Sequence, residues 1–239
     1  MPIPEGYVVA TPLYAALRTG DSTYMELLLE MGADSSVTIT ETQAGSRSKV
    51  DLLLYSLIDN SVEKTKLLLS HGANPNFICE FKYDNGTRIE QPDLYYALHN
   101  NLSPEIVELF LKEGADTSIP RKEYKDGKLI DLTSPLSITV ISGNNENIEL
   151  LLRCGADPNG IKEKEVSPLL FFAVKNNTTI ISELLLKSGA DANARYKIVS
   201  DEIDCSQKLL VIYQAAANRN AEIVRLLLRY GADTEAIML

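Results

Sequence analysis

The side chains able to do chemistry are few and scattered. The chain has two histidines, His71 and His99, three cysteines, Cys79, Cys154 and Cys205, and no tryptophan. A zinc site is usually written as Cys or His donors at short, paired spacings, and these residues show none. A nucleophilic cysteine needs a field that favours the thiolate. Cys154 sits at an expected helix C-terminus, where the helix dipole opposes a thiolate. His71 shares a variable slot with Met31, Glu113, Cys154, Ser188 and Tyr230, which reads as solvent-facing. No Gly-rich phosphate loop, Gly-x-Ser-x-Gly elbow or His-Glu-x-x-His pair is present. These observations predict no catalytic residue, no metal ligand and no cofactor.

The chemistry that the sequence does concentrate is that of contact surfaces. Thirteen of the 23 lysines and arginines lie in five connecting segments, including Arg121, Lys122, Lys125 and Lys128 in one of them. Phe81, Tyr83, Tyr124 and Tyr196 lie there too. Aromatic residues and arginine are enriched where proteins meet. Glu80, Asp84, Glu123 and Asp126 are interleaved with the bases, the pattern that also keeps an exposed hairpin soluble and blunts its edges.

The totals restrict the class. A chain of 239 residues with 45% hydrophobic content can bury a sizeable core. Its net charge of −10 disfavours nucleic acid and anionic membranes as partners. Three widely spaced cysteines fit a reduced, cytoplasmic compartment better than a disulfide framework. The start, MPIPEGYVVA, lacks the basic and apolar regions of a signal peptide, and no apolar run is long enough to span a bilayer.

Six near-copies of one segment organise the chain. LLLEMGADSS starts at Leu27, LLLSHGANPN at Leu67, LFLKEGADTS at Leu109, LLLRCGADPN at Leu150, LLLKSGADAN at Leu184 and LLLRYGADTE at Leu226. Their glycines are 34 to 42 residues apart. Such a period marks a stack of units, none of which can bury its apolar face alone. The glycine predicts a helix stop, because the next residue turns left-handed, where a Cβ clashes. The leucine triplet predicts the buried face, each buried leucine being worth roughly 1.5–3 kcal/mol. Upstream stand TPLYAAL from Thr11, SPLSITV from Ser134 and SPLLFFAV from Ser167. Each offers a hydroxyl cap followed by proline at the first helical position. Gly20, Asn60, Asn101, Gly143, Asn176 and Arg219 mark the turn between two helices.

This order of Thr-Pro-Leu, turn residue, Leu-Leu-Leu and Gly-Ala-Asp resembles the ankyrin repeat, and the likeness covers nearly the whole chain. It implies an all-α repeat solenoid of helix–turn–helix units with protruding β-hairpins. The chain then reads as one domain over 1–239, with repeats near 11–35, 51–76, 92–118, 134–159, 167–193 and 210–235. Tyr14 or Ser137 stands where the family usually carries histidine. Repeats two and six open at Asp51 and Leu210 without the proline, so irregular stacking is expected.

Four of the five connections exceed the family's usual length. Gly32 to Asp51, Gly72 to Pro92, Gly114 to Ser134 and Gly189 to Leu210 span 19 to 21 residues, against 12 from Gly155 to Ser167. Asp84-Asn85-Gly86 and Asp126-Gly127 predict β-hairpin tips, because both central residues of a tight turn favour positive φ. Weaker versions lie at Ala44-Gly45 and Ser200-Asp201.

The resemblance also implies a function: binding another protein through a concave first-helix face and the hairpin fingers. By position, the first-helix candidates are Arg18, Thr19, Asp59, His99, Asn100, Ser142, Lys175 and Asn218. The finger candidates are Phe81, Tyr83, Arg121, Lys122, Tyr124, Lys125 and Tyr196. The expectation is a non-enzymatic intracellular scaffold. The long-fingered outline is also similar to the cytosolic ankyrin domains of TRPV-type channels, some of which bind nucleotide. A ligand-regulated, nucleotide-binding module is therefore the alternative, and a host-directed bacterial effector is another. Apolar Ile237-Met238-Leu239 would suit a contact between copies at the last repeat, and Tyr7-Val8-Val9 is expected over the first helix pair.

Overall fold

The computed structural model describes residues 11–19, 21–43, 45–161, 168–197 and 208–234. The expectations placed on Tyr7–Val9, Gly20, Ala44, Ser167, Ser200-Asp201, Cys205 and Ile237–Leu239 lie outside the described residues. Contacts divide the chain into two compact units, Met1–Pro135 and Leu136–Leu239.

The first unit holds three helix pairs: α1 (Pro12–Arg18) with α2 (Ser22–Glu30), α3 (Leu52–Ile58) with α4 (Val62–Ser70), and α5 (Asp93–His99) with α6 (Pro104–Lys112). The second holds α7 (Pro135–Ser142) with α8 (Asn145–Arg153), α9 (Leu169–Lys175) with α10 (Thr179–Lys187), and α11 (Val211–Ala217) with α12 (Ala221–Arg229). Polar side chains start many of these helices. Thr11 accepts the Tyr14 N–H at 3.2 Å, and Asp51, which replaces the hydroxyl cap of repeat two, accepts the Leu54 N–H at 3.1 Å. Asp21, Ser61, Asn144 and Asn220 cap second helices in the same way. The stop is a Schellman turn. In repeat two, Gly72 takes φ +91° and the Ala73 N–H reaches back to the Leu68 carbonyl at 3.0 Å.

Asn60, Asn101, Gly143, Asn176 and Arg219 lie in the turns between helices as expected; four of them take positive φ, and in repeat five the neighbouring Asn177 does (φ 60°). Asn176 donates its N–H to Phe172 as the helix C-cap.

The leucine triplets do not bury as a block. Three consecutive helical residues sweep about 200°, so they cannot share one face. The middle position is fully buried in five repeats, as Leu68, Phe110, Leu151, Leu185 and Leu227. The flanking positions vary, and Leu27 is 53% and Leu228 43% exposed. Met25 and Leu29 carry the burial of α2 instead.

Polar links tie neighbouring repeats together. Asn76 accepts the Asp116 N–H at 2.6 Å and donates to the Gly114 carbonyl at 3.1 Å. Asn159 and Asn193 make the same pair of bonds to Asp191 and Gly189, and to Asp233 and Gly231. Each asparagine thus satisfies backbone groups left over at the next glycine stop. The buried Lys64 ammonium donates to the Leu17 carbonyl at the end of α1, at 2.8 Å, and to Asp59 at 2.6 Å.

The fingers of the first unit do more than protrude. β1 (Thr38–Gln43), β2 (Ser46–Asp51), β3 (Ile78–Lys82), β4 (Thr87–Pro92), β5 (Arg121–Lys125) and β6 (Lys128–Thr133) join into one antiparallel six-stranded sheet in chain order. The second unit has the short pair β7 (Arg195–Lys197) and β8 (Lys208–Leu210). Asp126 and Gly127 both take positive φ, as a two-residue turn requires. At the second finger only Gly86 does, and Tyr83 N–H bonds the Thr87 carbonyl across a three-residue loop.

Leu68→Ala and Leu185→Ala are each expected to cost about 2–5 kcal/mol by urea denaturation, from lost burial plus the cavity left behind. Leu27→Ala, on the same triplet pattern, is expected to change stability by less than about 0.5 kcal/mol.

Candidate interaction surface and a buried carboxyl–thiol cluster

The fused sheet places several finger candidates side by side. Opposed residues across β2, β3, β4 and β5 run Ser48, Phe81, Ile89 and Glu123 in one row, and Arg47, Lys82, Arg88 and Tyr124 in the next. Side chains alternate between faces, so the two rows lie on opposite sides of the sheet. On the second side the Arg88 guanidinium sits 4.0 Å over the Tyr124 ring, and the Tyr124 hydroxyl donates to Glu90 at 3.3 Å. Arg121 is held by Glu123 at 2.7 Å and Asp131 at 3.2 Å. The Lys125 ammonium donates to the Asn85 carbonyl and so straps the third finger to the second. Tyr83 is 42% exposed near the tip of the second finger. Ile130 is 52% exposed on the third, with Leu129 and Ile78 also exposed.

The tips touch closely. A Cβ on Gly45 would lie 1.6 Å from Asp84 Oδ2, and one on Gly86 2.1 Å from Asp126 Oδ1. The Asp126 N–H bonds the Gly86 carbonyl at 3.0 Å. These glycines permit both the positive φ and the approach of the next finger.

Many first-helix candidates are already engaged. Thr19, Asn100 and Ser142 return their side chains to helix carbonyls. Asp59 pairs with Lys64, and His99 stacks on Tyr95 at 5.8 Å. Asn218 donates to the Val174 carbonyl at 2.6 Å and joins repeats five and six. Arg18 is exposed at the end of α1, and the Lys175 ammonium lies 5.9 Å from the Phe171 ring centroid. Tyr196 requires a correction. It is only 6% exposed and stacks on Phe171 at 4.0 Å, because its strand returns to the α9 surface and carries the ring into the core.

One cluster joins residues far apart in the sequence. Asp51 closes β2, Cys79 lies in β3, and Asp93 opens α5. Stacking of repeats two and three brings a donor atom from each within 4.8 Å of the others, and all three residues are buried. The Cys79 thiol donates to Asp93 Oδ1 at 3.3 Å, while among the described residues Asp93 Oδ2 has no hydrogen-bond partner. Its polar neighbour is the Asp51 carboxyl, another acceptor. Two acceptors in contact need a proton or a cation between them. Among the described residues no ion pair reaches either carboxyl. Burial, and then the Asp51 charge, hold Asp93 well above the ordinary carboxylate value. Burial likewise pushes Asp51 up to about 6, and burial together with both acids pushes the Cys79 thiol up. The sequence carried no signal for this cluster, because its members meet only through stacking.

Two tests follow. A folded pKa above the unfolded one favours the protonated form in the fold. The stability supplied by Asp51 and Asp93 is therefore full below the ordinary value of 3.8 and is lost as pH rises through about 6 and beyond. With no divalent cation present, Asp93→Asn is expected to raise Tm at pH 8 and to leave it nearly unchanged at pH 4, by thermal melts at both. Gly86→Ala is expected to cost about 1–3 kcal/mol, through strain at positive φ and the clash with Asp126, by urea denaturation.

The family model for ankyrin repeats, in three copies, matches residues 94–196 and 136–237. An ankyrin repeat protein of fowlpox virus is 29% identical over 167 residues, covering 70% of this chain and 32% of its own length. One of Rickettsia felis is 28% identical over 202 residues, covering 82% and 85%. This chain thus spans about a third of the viral relative and most of the bacterial one. Among solved structures, the ankyrin repeat domain of Bcl-3 aligns with a TM-score of 0.66 at 22% identity, over 96% of this chain and 90% of that one. The human ASB11 ankyrin repeat domain gives 0.56 at 21% identity, over 96% and 87%. No helix among the described residues is long and apolar enough to cross a membrane. With the family model matching more than half of its length, this chain belongs to the ankyrin repeat family.

Proposed function

We propose that this chain is a protein–protein interaction scaffold that holds a partner through its fused finger sheet together with the first-helix face. Ankyrin repeats generally mediate contacts between proteins. The observation that carries it is the single six-stranded sheet built by three fingers. Separate hairpins are marginal in water, whereas joined strands hold side chains in fixed register. Binding then costs little ordering entropy, which favours affinity. Tyr83 and Ile130 supply exposed apolar area on the second and third fingers, and Lys122, in β5, has no ion-pair partner among the described residues.

Tyr124 belongs to the support of the platform, since Arg88 and Glu90 hold it. Tyr83 is the better probe. In an affinity pull-down from native lysate, followed by titration of the captured protein, Tyr83→Ala/Lys122→Glu is expected to weaken binding by about tenfold or more, about 1.4 kcal/mol, with Tm unchanged. A partner bound equally by both forms would remove the fingers from the proposal and leave the first-helix face.

A further inference from the structure

We propose that Asp51, Cys79 and Asp93 form a buried site for one divalent cation of the zinc class. The site lies at the end of the finger sheet nearest the helices, where Asp51 closes β2 and Cys79 lies in β3, and it does not depend on the scaffold reading.

The donor set points to this class. Mixed thiolate and carboxylate donors suit zinc and its cobalt surrogate, whereas magnesium and calcium take oxygen alone. Spacing agrees. Zinc–sulfur and zinc–oxygen bonds of about 2.3 and about 2.0 Å at a tetrahedral angle put sulfur and oxygen about 3.5 Å apart. The Cys79 sulfur lies 3.3 Å from Asp93 Oδ1, and the three residues have donor atoms within 4.8 Å. Asp93 is fully buried, yet among the described residues its Oδ2 has no hydrogen-bond partner, and such an atom in a folded interior calls for an explanation. A cation beside it supplies one.

The supports are rigid. Asp51 is fixed as the cap of α3 by the Leu54 N–H. Cys79 sits in a strand paired on its β4 side, opposite Gln91. Asp93 is the first residue of α5. Preorganised donors of this kind hold a metal without a further folding cost.

Charge also balances. Without metal, a neutral thiol and one proton shared by two carboxyls leave the cluster at −1. With metal, two carboxylates and a thiolate carry −3 and the dication +2, again −1. Binding releases the thiol proton and the shared carboxyl proton to solvent. The dication reverses the local field that otherwise opposes the thiolate.

The test uses the full chain carrying Cys154→Ser and Cys205→Ser, so that Cys79 is the only thiol. It is unfolded in urea with chelator, desalted, and refolded with or without Co²⁺, which admits the ion before the core closes. The expected result is one cobalt retained per chain, a thiolate-to-cobalt absorption in the near ultraviolet, and a Tm that rises with Co²⁺ concentration. Added zinc should displace the colour. Asp93→Asn should lose the retained cobalt with its helical circular dichroism intact, and Cys79→Ser should lose the absorption. No retained cobalt and an unchanged Tm would overturn the proposal and leave a proton between the carboxyls. Cobalt retained equally by Asp93→Asn, or retained without the thiolate band, would overturn it too. If Asp93→Asn does not fold, Cys79→Ser, which changes only sulfur to oxygen, decides in its place.

Discussion

The rest of the structure depends on one constraint: no helix pair here can bury its apolar face without a neighbour. In five of the six triplets the middle residue is fully buried, and within each unit neighbouring second helices pack against one another. Burial therefore requires a stop after each second helix, so that the chain can return and begin the next unit. The Schellman turn at glycine provides that stop, and Asn76, Asn159 and Asn193 use the backbone groups it leaves free to grip the following repeat. Apolar burial and helix termination thus recur together, and in three repeats an asparagine adds the polar linkage.

The fingers obey a second constraint. A lone hairpin exposes two edges, and each edge is a liability. Here the spacing of the repeats lets β2 pair with β3 and β4 with β5, so neighbouring edges cover one another. Charges that would be bland on separate hairpins become specific in the sheet. Arg121 is committed to Glu123 and Asp131, Lys125 to the second finger, and Arg88 to Tyr124. What remains exposed, Tyr83 and Ile130 above all, is the apolar area on which the proposed scaffold role rests.

The carboxyl–thiol cluster arises from the same stacking. Asp51 takes the place of the Thr or Ser cap in repeat two and does the same hydrogen-bonding work. It also places a carboxyl against the first residue of α5, which is another acid. A position tolerant of Asp in one repeat thereby becomes an electrostatic problem in the pair, one that a shared proton or a bound cation solves.

The sequence by itself determined the unit and the number of units. Its signals are local: a capping side chain three residues before the amide it accepts, leucines at helical spacing, a glycine where φ must be positive, Asp-Gly at a tip. Such signals act over one or two turns of chain and can be read without knowing what packs above. Even so, the tip at Asn85 differs in turn type, a three-residue loop in place of a two-residue turn, because tight loops are set by hydrogen bonds that shift by one position at little cost. Only the tertiary structure decided the fusion of three hairpins into one sheet, the burial of Tyr196 against Phe171, the internal use of Asn218, and the meeting of Asp51, Cys79 and Asp93. Each of these depends on the distance between successive repeats. That distance is set by packing across the stack, which no spacing along the chain records.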